Sequence, residues 1–101
     1  MLKVINSKEE FVDATSGGTV LVDFFATWCG PCKMLAPVLE QFAKDTPEVE
    51  VIKVDVDNVP DVAKEFGIVS IPTLILFKDG TMTNKQVGFM NINQIKAFAK
   101  A

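Results

Sequence analysis

Five segments of the chain are predicted to be β-strands, four from their apolar residues and the fifth, 83–87, from the hairpin turn that precedes it. Residues 19–26 are rich in Val, Leu and Phe and nearly continuous in apolar residues, as expected for a central strand buried on both faces. The apolar residues of 49–56 come close to alternating, which also favours a strand. The predicted strands cover 2–5, 19–26, 49–56, 74–77 and 83–87. Asp23 is the charged residue within the central run.

One long helix is predicted over 31–45, where apolar residues recur at the i, i+3, i+4 and i+7 positions. These residues are Leu35, Val38, Leu39 and Phe42. Pro37 lies inside the segment and predicts a kink, because proline removes one helical hydrogen bond.

Three shorter helices are predicted from their capping residues. The two pairs with capping-box spacing are Ser7 with Glu10, and Asn91 with Gln94. The remaining helix, over 60–66, would be capped by Asp57 or Asn58 and end at Gly67.

The resulting order, β-α-β-α-β-α-β-β-α, predicts one α/β domain over 1–101. Helical crossovers between the first three strands favour parallel pairing, whereas Asp79-Gly80 predicts an antiparallel hairpin of the last two. We therefore expect a central mixed five-stranded sheet flanked by four helices.

Composition excludes several classes of function. The net charge is −3 and no basic cluster is present, so nucleic acid and anionic membranes are unsuitable partners. No apolar run approaches the roughly 18 residues of a membrane span, and the first residues lack a signal-peptide pattern. We therefore expect a cytoplasmic protein. In the cytoplasm a disulfide is more often catalytic than structural.

The two cysteines, Cys29 and Cys32, are separated by Gly30-Pro31 and lie where the central strand meets the long helix. A helix N-terminus stabilises a thiolate, so Cys29 is the predicted nucleophile and Cys32 the resolving thiol. Pro31 suits the first helical turn, Gly30 permits close approach of a partner backbone, and Lys33 would add a modest electrostatic effect.

The sequence supports other roles for the cysteine pair less well. A structural disulfide that closes so short a loop stabilises little by chain entropy. Tetrahedral zinc needs four ligands, and the chain has no His and no further Cys. A metal or iron–sulfur cluster that bridges two chains remains an alternative, although redox catalysis is the favoured interpretation.

Residues 22–37, which include Trp28-Cys29-Gly30-Pro31-Cys32-Lys33, closely resemble the thioredoxin family. Ile71-Pro72-Thr73 and Gly88 fall where that family has its cis-proline loop and a groove glycine. The resemblance implies the thioredoxin fold and a protein-disulfide reductase without a bound cofactor. It also implies that the protein reduces disulfide-containing proteins and is recycled by a thioredoxin reductase. The oligomeric state stays open at this point, with a monomer as the default.

The resemblance also assigns roles around the cysteines. It implies that Trp28 shields the disulfide and contributes to the docking surface. Pro72 would be cis beside the disulfide, with the backbone of Ile71 pairing with an extended substrate and Gly88 leaving room for substrate backbone.

Asp23 matches a buried aspartate of the family. Burial of a carboxylate raises its pKa, so Asp23 could accept a proton from Cys32 near neutral pH. The alternative is a strand-end residue that reaches solvent; we favour the general base.

Several positions depart from familiar members of the family. Phe25 replaces a second Trp that many members have, and Ser70 and Phe89 replace Gly and small residues, so substrate preference could differ. Val51 stands where some bacterial members carry a lysine near the buried aspartate. Lys53 lies two residues further on, and we do not assign the role of that lysine to it. Without that cation, Asp23 is expected to be easier to protonate.

Two rival functions remain open. An oxidase or isomerase on the same fold usually has a His between the cysteines, and this chain has none. A binding module with an idle disulfide would retain its cellular activity in a Cys29→Ser, Cys32→Ser double variant.

Overall fold

The computed structural model describes residues 2–100 and has the predicted order of elements. Met1 and Ala101, which the predicted domain includes, lie outside the described residues. The elements are β1 (Leu2–Ile5), α1 (Lys8–Thr15), β2 (Thr19–Phe25), α2 (Gly30–Asp45), β3 (Val49–Asp55), α3 (Pro60–Glu65), β4 (Thr73–Lys78), β5 (Thr81–Val87) and α4 (Ile92–Lys100). Among these helices, none is long and apolar enough to cross a membrane.

The five strands form one mixed sheet in the order β1-β3-β2-β4-β5. The β1–β3 and β2–β3 pairs are parallel, and the β2–β4 and β4–β5 pairs are antiparallel. The predicted five-stranded mixed sheet with a C-terminal hairpin is therefore confirmed. Asp79 and Gly80 both have positive φ at the hairpin turn, which suits the twist of two antiparallel strands.

Strand β2 lies in the centre and contributes to a hydrophobic core on each face of the sheet. Val20, Val22 and Phe24 point to the core that contains Phe11 of α1. Leu21 points to the opposite core, with residues of α2 and α4. Because side chains alternate along a strand, Asp23 lies on the same face as Leu21, beneath α2.

Two of the predicted helix caps are confirmed. The backbone N–H of Glu10 donates to the Ser7 hydroxyl at 3.1 Å, before α1. Before α4, the side chains of Asn91 and Gln94 each accept from the other's backbone N–H at 2.9 Å. Helix α2 begins at Gly30, one residue earlier than predicted.

The predicted cap of α3 is wrong. Its N-cap is Val59, whose side chain makes no capping hydrogen bond. Asn58 instead donates through its side chain to Asn6 at 3.2 Å, and Asp57 accepts from the indole of Trp28 at 2.8 Å. Both polar side chains therefore bond to residues distant in sequence, which local spacing alone does not show.

Candidate active site

The two cysteines form a disulfide at the N-terminus of α2, with their Cα atoms 5.2 Å apart. Cys29 is the N-cap of this helix, and its Sγ accepts a hydrogen bond from the backbone N–H of Cys32 at 3.2 Å. Unpaired N–H groups and the positive end of the helix dipole stabilise negative charge on a sulfur in this position. This arrangement fits the predicted thiolate role of Cys29.

The residues around the cysteines lie as the sequence predicts. Gly30 and Pro31 form the exposed first turn of α2, and a Cβ on Gly30 would meet no heavy atom within 4 Å. Lys33 is also exposed. Cys29 and Cys32 are themselves 5% and 3% exposed, so a partner reaches the disulfide across a small opening.

Asp23 is fully buried, and neither of its carboxylate oxygens has a hydrogen-bond partner. Burial raises the pKa of Asp23 to about 7, while the positive charge of Lys53 acts in the opposite direction. The alternative of a strand-end carboxylate in solvent is therefore wrong. Near neutral pH both the protonated and the ionised form of this carboxyl group are therefore populated, a condition that a general base must meet.

The cation near Asp23 is Lys53, which corrects the sequence interpretation. In the β2–β3 register Asp23 pairs with Lys53, whereas Val51 pairs with Leu21. The ammonium group of Lys53 also lies 4.5 Å from the ring centre of Phe25. Positions two residues apart on a strand share a face, so the pattern of β3 alone does not distinguish Val51 from Lys53 as the residue beside Asp23.

A cavity of about 200 Å³ lies on the side of Cys32 toward β3. Its lining includes Phe25, Thr27, Cys32, Lys33 and Lys53. The volume is large enough for several water molecules. It places the Cys32 side of the disulfide beside a surface opening that is lined mainly by apolar atoms.

The opposite side of the disulfide is formed by the loop before β4. The Ile71-Pro72 peptide bond is cis, as predicted, and the carbonyl oxygen of Ile71 lies 3.8 Å from Cys29 Sγ. The N–H of Gly88 donates to the carbonyl of Pro72 at 2.8 Å, which holds the end of β5 against this loop. The structure thus brings Ile71, Pro72 and Gly88 together beside Cys29.

Gly88 has a φ of 101°, a backbone conformation that favours glycine. A Cβ there would contact no heavy atom within 4 Å, so the space above Gly88 is open. This open space is consistent with the predicted gap for substrate backbone.

Trp28 is 67% exposed beside the disulfide, which leaves most of its ring free for contact with a partner. Its indole N–H donates to Oδ2 of Asp57 at 2.8 Å. Sequence reasoning missed Asp57 as a site residue. Its position after β3 could have indicated this role. Trp28 follows β2, and the carboxyl ends of the parallel strands β2 and β3 lie at the same edge of the sheet.

Within residues 2–100, no group of three or more His, Cys, Asp or Glu side chains is arranged to hold a metal ion. The chemical groups gathered here are instead a disulfide, a buried carboxyl group, a lysine and an exposed apolar surface. They suit reversible thiol–disulfide exchange.

A family model described as Thioredoxin matches residues 3–101. The chain belongs to the thioredoxin family. A thioredoxin of Chlamydia trachomatis is 53% identical to it over 88 residues, which cover 87% of this chain and 85% of that protein. A thioredoxin of Mycoplasmoides gallisepticum is 43% identical over 100 residues, covering 98% of this chain and all of that one.

Solved thioredoxin structures agree with this assignment. The structure of Plasmodium falciparum thioredoxin superposes with a TM-score of 0.91 at 38% identity, covering 97% of this chain and 96% of that one. The thioredoxin fold and the Cys29–Cys32 pair make the chain a thiol–disulfide oxidoreductase of the protein-disulfide reductase type, with disulfide-containing proteins as substrates.

Proposed function

We propose that the chain is a single-domain reductant in which Cys29 attacks and Cys32 resolves. The Cys29 thiolate attacks one sulfur of a substrate disulfide, and the substrate S–S bond breaks to release one thiolate. A mixed disulfide then joins Cys29 to the substrate. The observation that supports this order is the position of Cys29 as N-cap of α2, where its sulfur accepts a hydrogen bond from a backbone N–H.

Asp23 completes the second step in this proposal. Its carboxylate takes the proton of the Cys32 thiol, and the resulting thiolate attacks the Cys29 sulfur. The substrate leaves as its second thiolate, and the Cys29–Cys32 disulfide forms. Two electrons have passed to the substrate, and a pKa of Asp23 of about 7 suits this transfer near neutral pH.

The remaining site residues bind the substrate or tune the disulfide. Trp28, Ile71, Pro72 and Gly88 surround the side of Cys29 that a substrate approaches, and we assign them to substrate binding. We assign Gly30, Pro31 and Lys33, in the first turn of α2, to tuning of the redox couple.

The partner that restores the dithiol is a thioredoxin reductase in this proposal, and the reductant acts as a monomer. We place it in the cytoplasm, because a reducing compartment keeps such a dithiol available.

The decisive experiment is a titration of the Cys29–Cys32 couple against dithiothreitol redox buffers. A reduction potential near the thioredoxin value of about −270 mV would support the reductant. A potential between about −180 and −120 mV would contradict it and favour an oxidase or isomerase.

Cysteine variants test the order of attack. Cys32→Ser should retain a covalent complex with a disulfide substrate, visible as a mass increase that dithiothreitol removes. Cys29→Ser should form no such complex. A complex formed only by Cys29→Ser would reverse the two roles.

A further inference from the structure

The cavity beside Cys32 lies where three segments of the chain meet at one edge of the sheet. It has a volume of about 200 Å³ and opens at the surface. The end of β2 and the residues after it form one wall, the first turns of α2 form another, and β3 contributes a lysine. We call it the Cys32 cavity; its lining includes Phe25, Thr27, Cys32, Lys33, Ala36 and Lys53.

The charged side chains of this lining are two lysines. Lys33 and Lys53 both line the cavity, and none of the described lining residues is Asp or Glu. Within residues 2–100 neither lysine forms a salt bridge, and Lys53 acts on Asp23 as a charge without direct contact. The Lys53 ammonium lies 4.5 Å from the centre of the Phe25 ring, so a positive charge stands against an apolar wall of the cavity.

The remainder of the lining is mainly apolar. Phe25 and Ala36 are half-buried and contribute ring and methyl surface. An apolar cavity of about 150 Å³ is large enough for benzene. The Cys32 cavity therefore has room for one small ring, and its two lysines suit a ligand with a negative charge.

We propose that the Cys32 cavity binds a small carboxylate, with the apolar body of the ligand against Phe25 and its negative charge beside the two lysines. A carboxylate is favoured because it joins one charge to an apolar body. An inorganic anion would lose its water against the apolar wall without replacement. The ligand lies on the Cys32 side of the disulfide, so the opposite side, where Ile71 lies near Cys29, stays open to the substrate.

A bound carboxylate acts on the resolving step. That step requires negative charge on the sulfur of Cys32, which itself lines the cavity. A second negative charge close to this sulfur disfavours the thiolate and slows release of the substrate. This consequence rests on the proposed function, in which Cys32 resolves the mixed disulfide, whereas the binding of the carboxylate does not depend on it.

The first test is an NMR titration of the oxidised full chain with benzoate at constant ionic strength. We expect saturable shifts of the backbone amides around the cavity, with a Kd of about 10 mM, as befits a ligand of so few atoms. Benzamide has the same ring without the charge and should bind at least about fivefold more weakly. Shifts that do not saturate, or equal binding of benzamide, would overturn the proposal.

Three variants locate the site. Lys53→Met should weaken benzoate binding about two- to fivefold, the usual contribution of a partly exposed ion pair. Ala36→Phe keeps both lysines but fills the cavity from α2, so it should abolish binding. Lys64→Met removes an exposed lysine of α3 outside this lining and is the matched control, which should bind benzoate like the wild type.

Two results from these variants would contradict the site. An equal loss of affinity in Lys64→Met and Lys53→Met would mean that net charge alone attracts the anion. Unchanged binding in Ala36→Phe would place benzoate elsewhere on the chain.

Kinetics test the consequence for resolution. At saturating peptide disulfide, saturating benzoate should lower the single-turnover rate of release of the second peptide thiol about two- to fivefold in the wild type. It should leave this rate unchanged in Ala36→Phe. An unaltered rate in the benzoate-bound wild type would overturn the effect on resolution, and normal turnover without benzoate would still support the reductase function. Absence of turnover without benzoate would instead overturn the reductase function.

Discussion

Replacement of Asp23 by Asn should stabilise the protein at neutral pH. Burial raises the pKa of Asp23 from 3.8 to about 7, despite the opposing charge of Lys53. Below 3.8 the carboxyl is protonated in both the folded and the unfolded chain, so it adds no pH dependence there. Between 3.8 and about 7 the unfolded chain ionises while the folded chain stays protonated, so stability falls as the pH rises.

The size of this loss follows from the difference in pKa. Each pKa unit corresponds to about 1.36 kcal/mol, so the free energy of unfolding should fall by about 4 kcal/mol by the time the pH has passed 7. Asn cannot ionise, and its side chain is close in size to a protonated Asp. The variant should therefore match the wild type near pH 4 and exceed its stability by about 4 kcal/mol at about pH 8.

The assay is urea unfolding of the oxidised protein, followed by far-ultraviolet circular dichroism at a series of pH values. Asp13→Asn, which removes an exposed carboxylate of α1, is the control and should follow the wild type at every pH. If the stability difference between wild type and Asp23→Asn is the same near pH 4 and near pH 8, the raised pKa of Asp23 is wrong.

Three further predictions concern the charge of Lys53 near Asp23, the hydrogen bond from Trp28 to Asp57, and the cap of α1. Lys53→Met removes the charge that lowers the pKa of Asp23, so a carbon-13 NMR titration should find this pKa above about 7; an unchanged or lower value would contradict the assigned interaction. Asp57→Ala removes the hydrogen bond to the exposed indole and should raise KM for a protein substrate about fivefold, or about 1 kcal/mol, with an unchanged reduction potential. An unaltered KM would show that this bond does not orient the indole. Ser7→Ala removes the cap of α1 and should cost about 1 kcal/mol in urea unfolding, whereas no loss would mean that water replaces the hydroxyl.

Much of the fold could be predicted because its signals are local. The nearly continuous apolar run of β2 marks the centre of the sheet, and Asp79-Gly80 marks the hairpin turn. Element ends were less accurate: β2 ends at Phe25 and β3 at Asp55, one residue before the predicted limits. The last residue of an element depends on partners across the sheet, which spacing along one chain does not reveal.

Some residues of the candidate site could likewise be predicted from local sequence, and others could not. Cys29 and Cys32 could be recognised from two residues and a strand-to-helix boundary, because their chemistry depends on proximity within one turn. Lys53 and Asp57 could not be placed correctly, because each acts on a residue of another segment. The register of β2 and β3 places Lys53 beside Asp23, and the meeting of the two strand ends places Asp57 beside Trp28.

The sequence by itself determined the redox chemistry, the order of the elements and the two confirmed caps, since each depends on groups a few residues apart. The tertiary structure decided the surroundings of that chemistry. Packing of α2 on the sheet leaves both oxygens of Asp23 without a partner, and this desolvation raises its pKa. The pairing of β2 with β3 brings Lys53 to it, and the meeting of the carboxyl ends of these strands brings Asp57 to the indole of Trp28. These properties depend on distances between segments far apart in the chain, which exist only once the chain is folded.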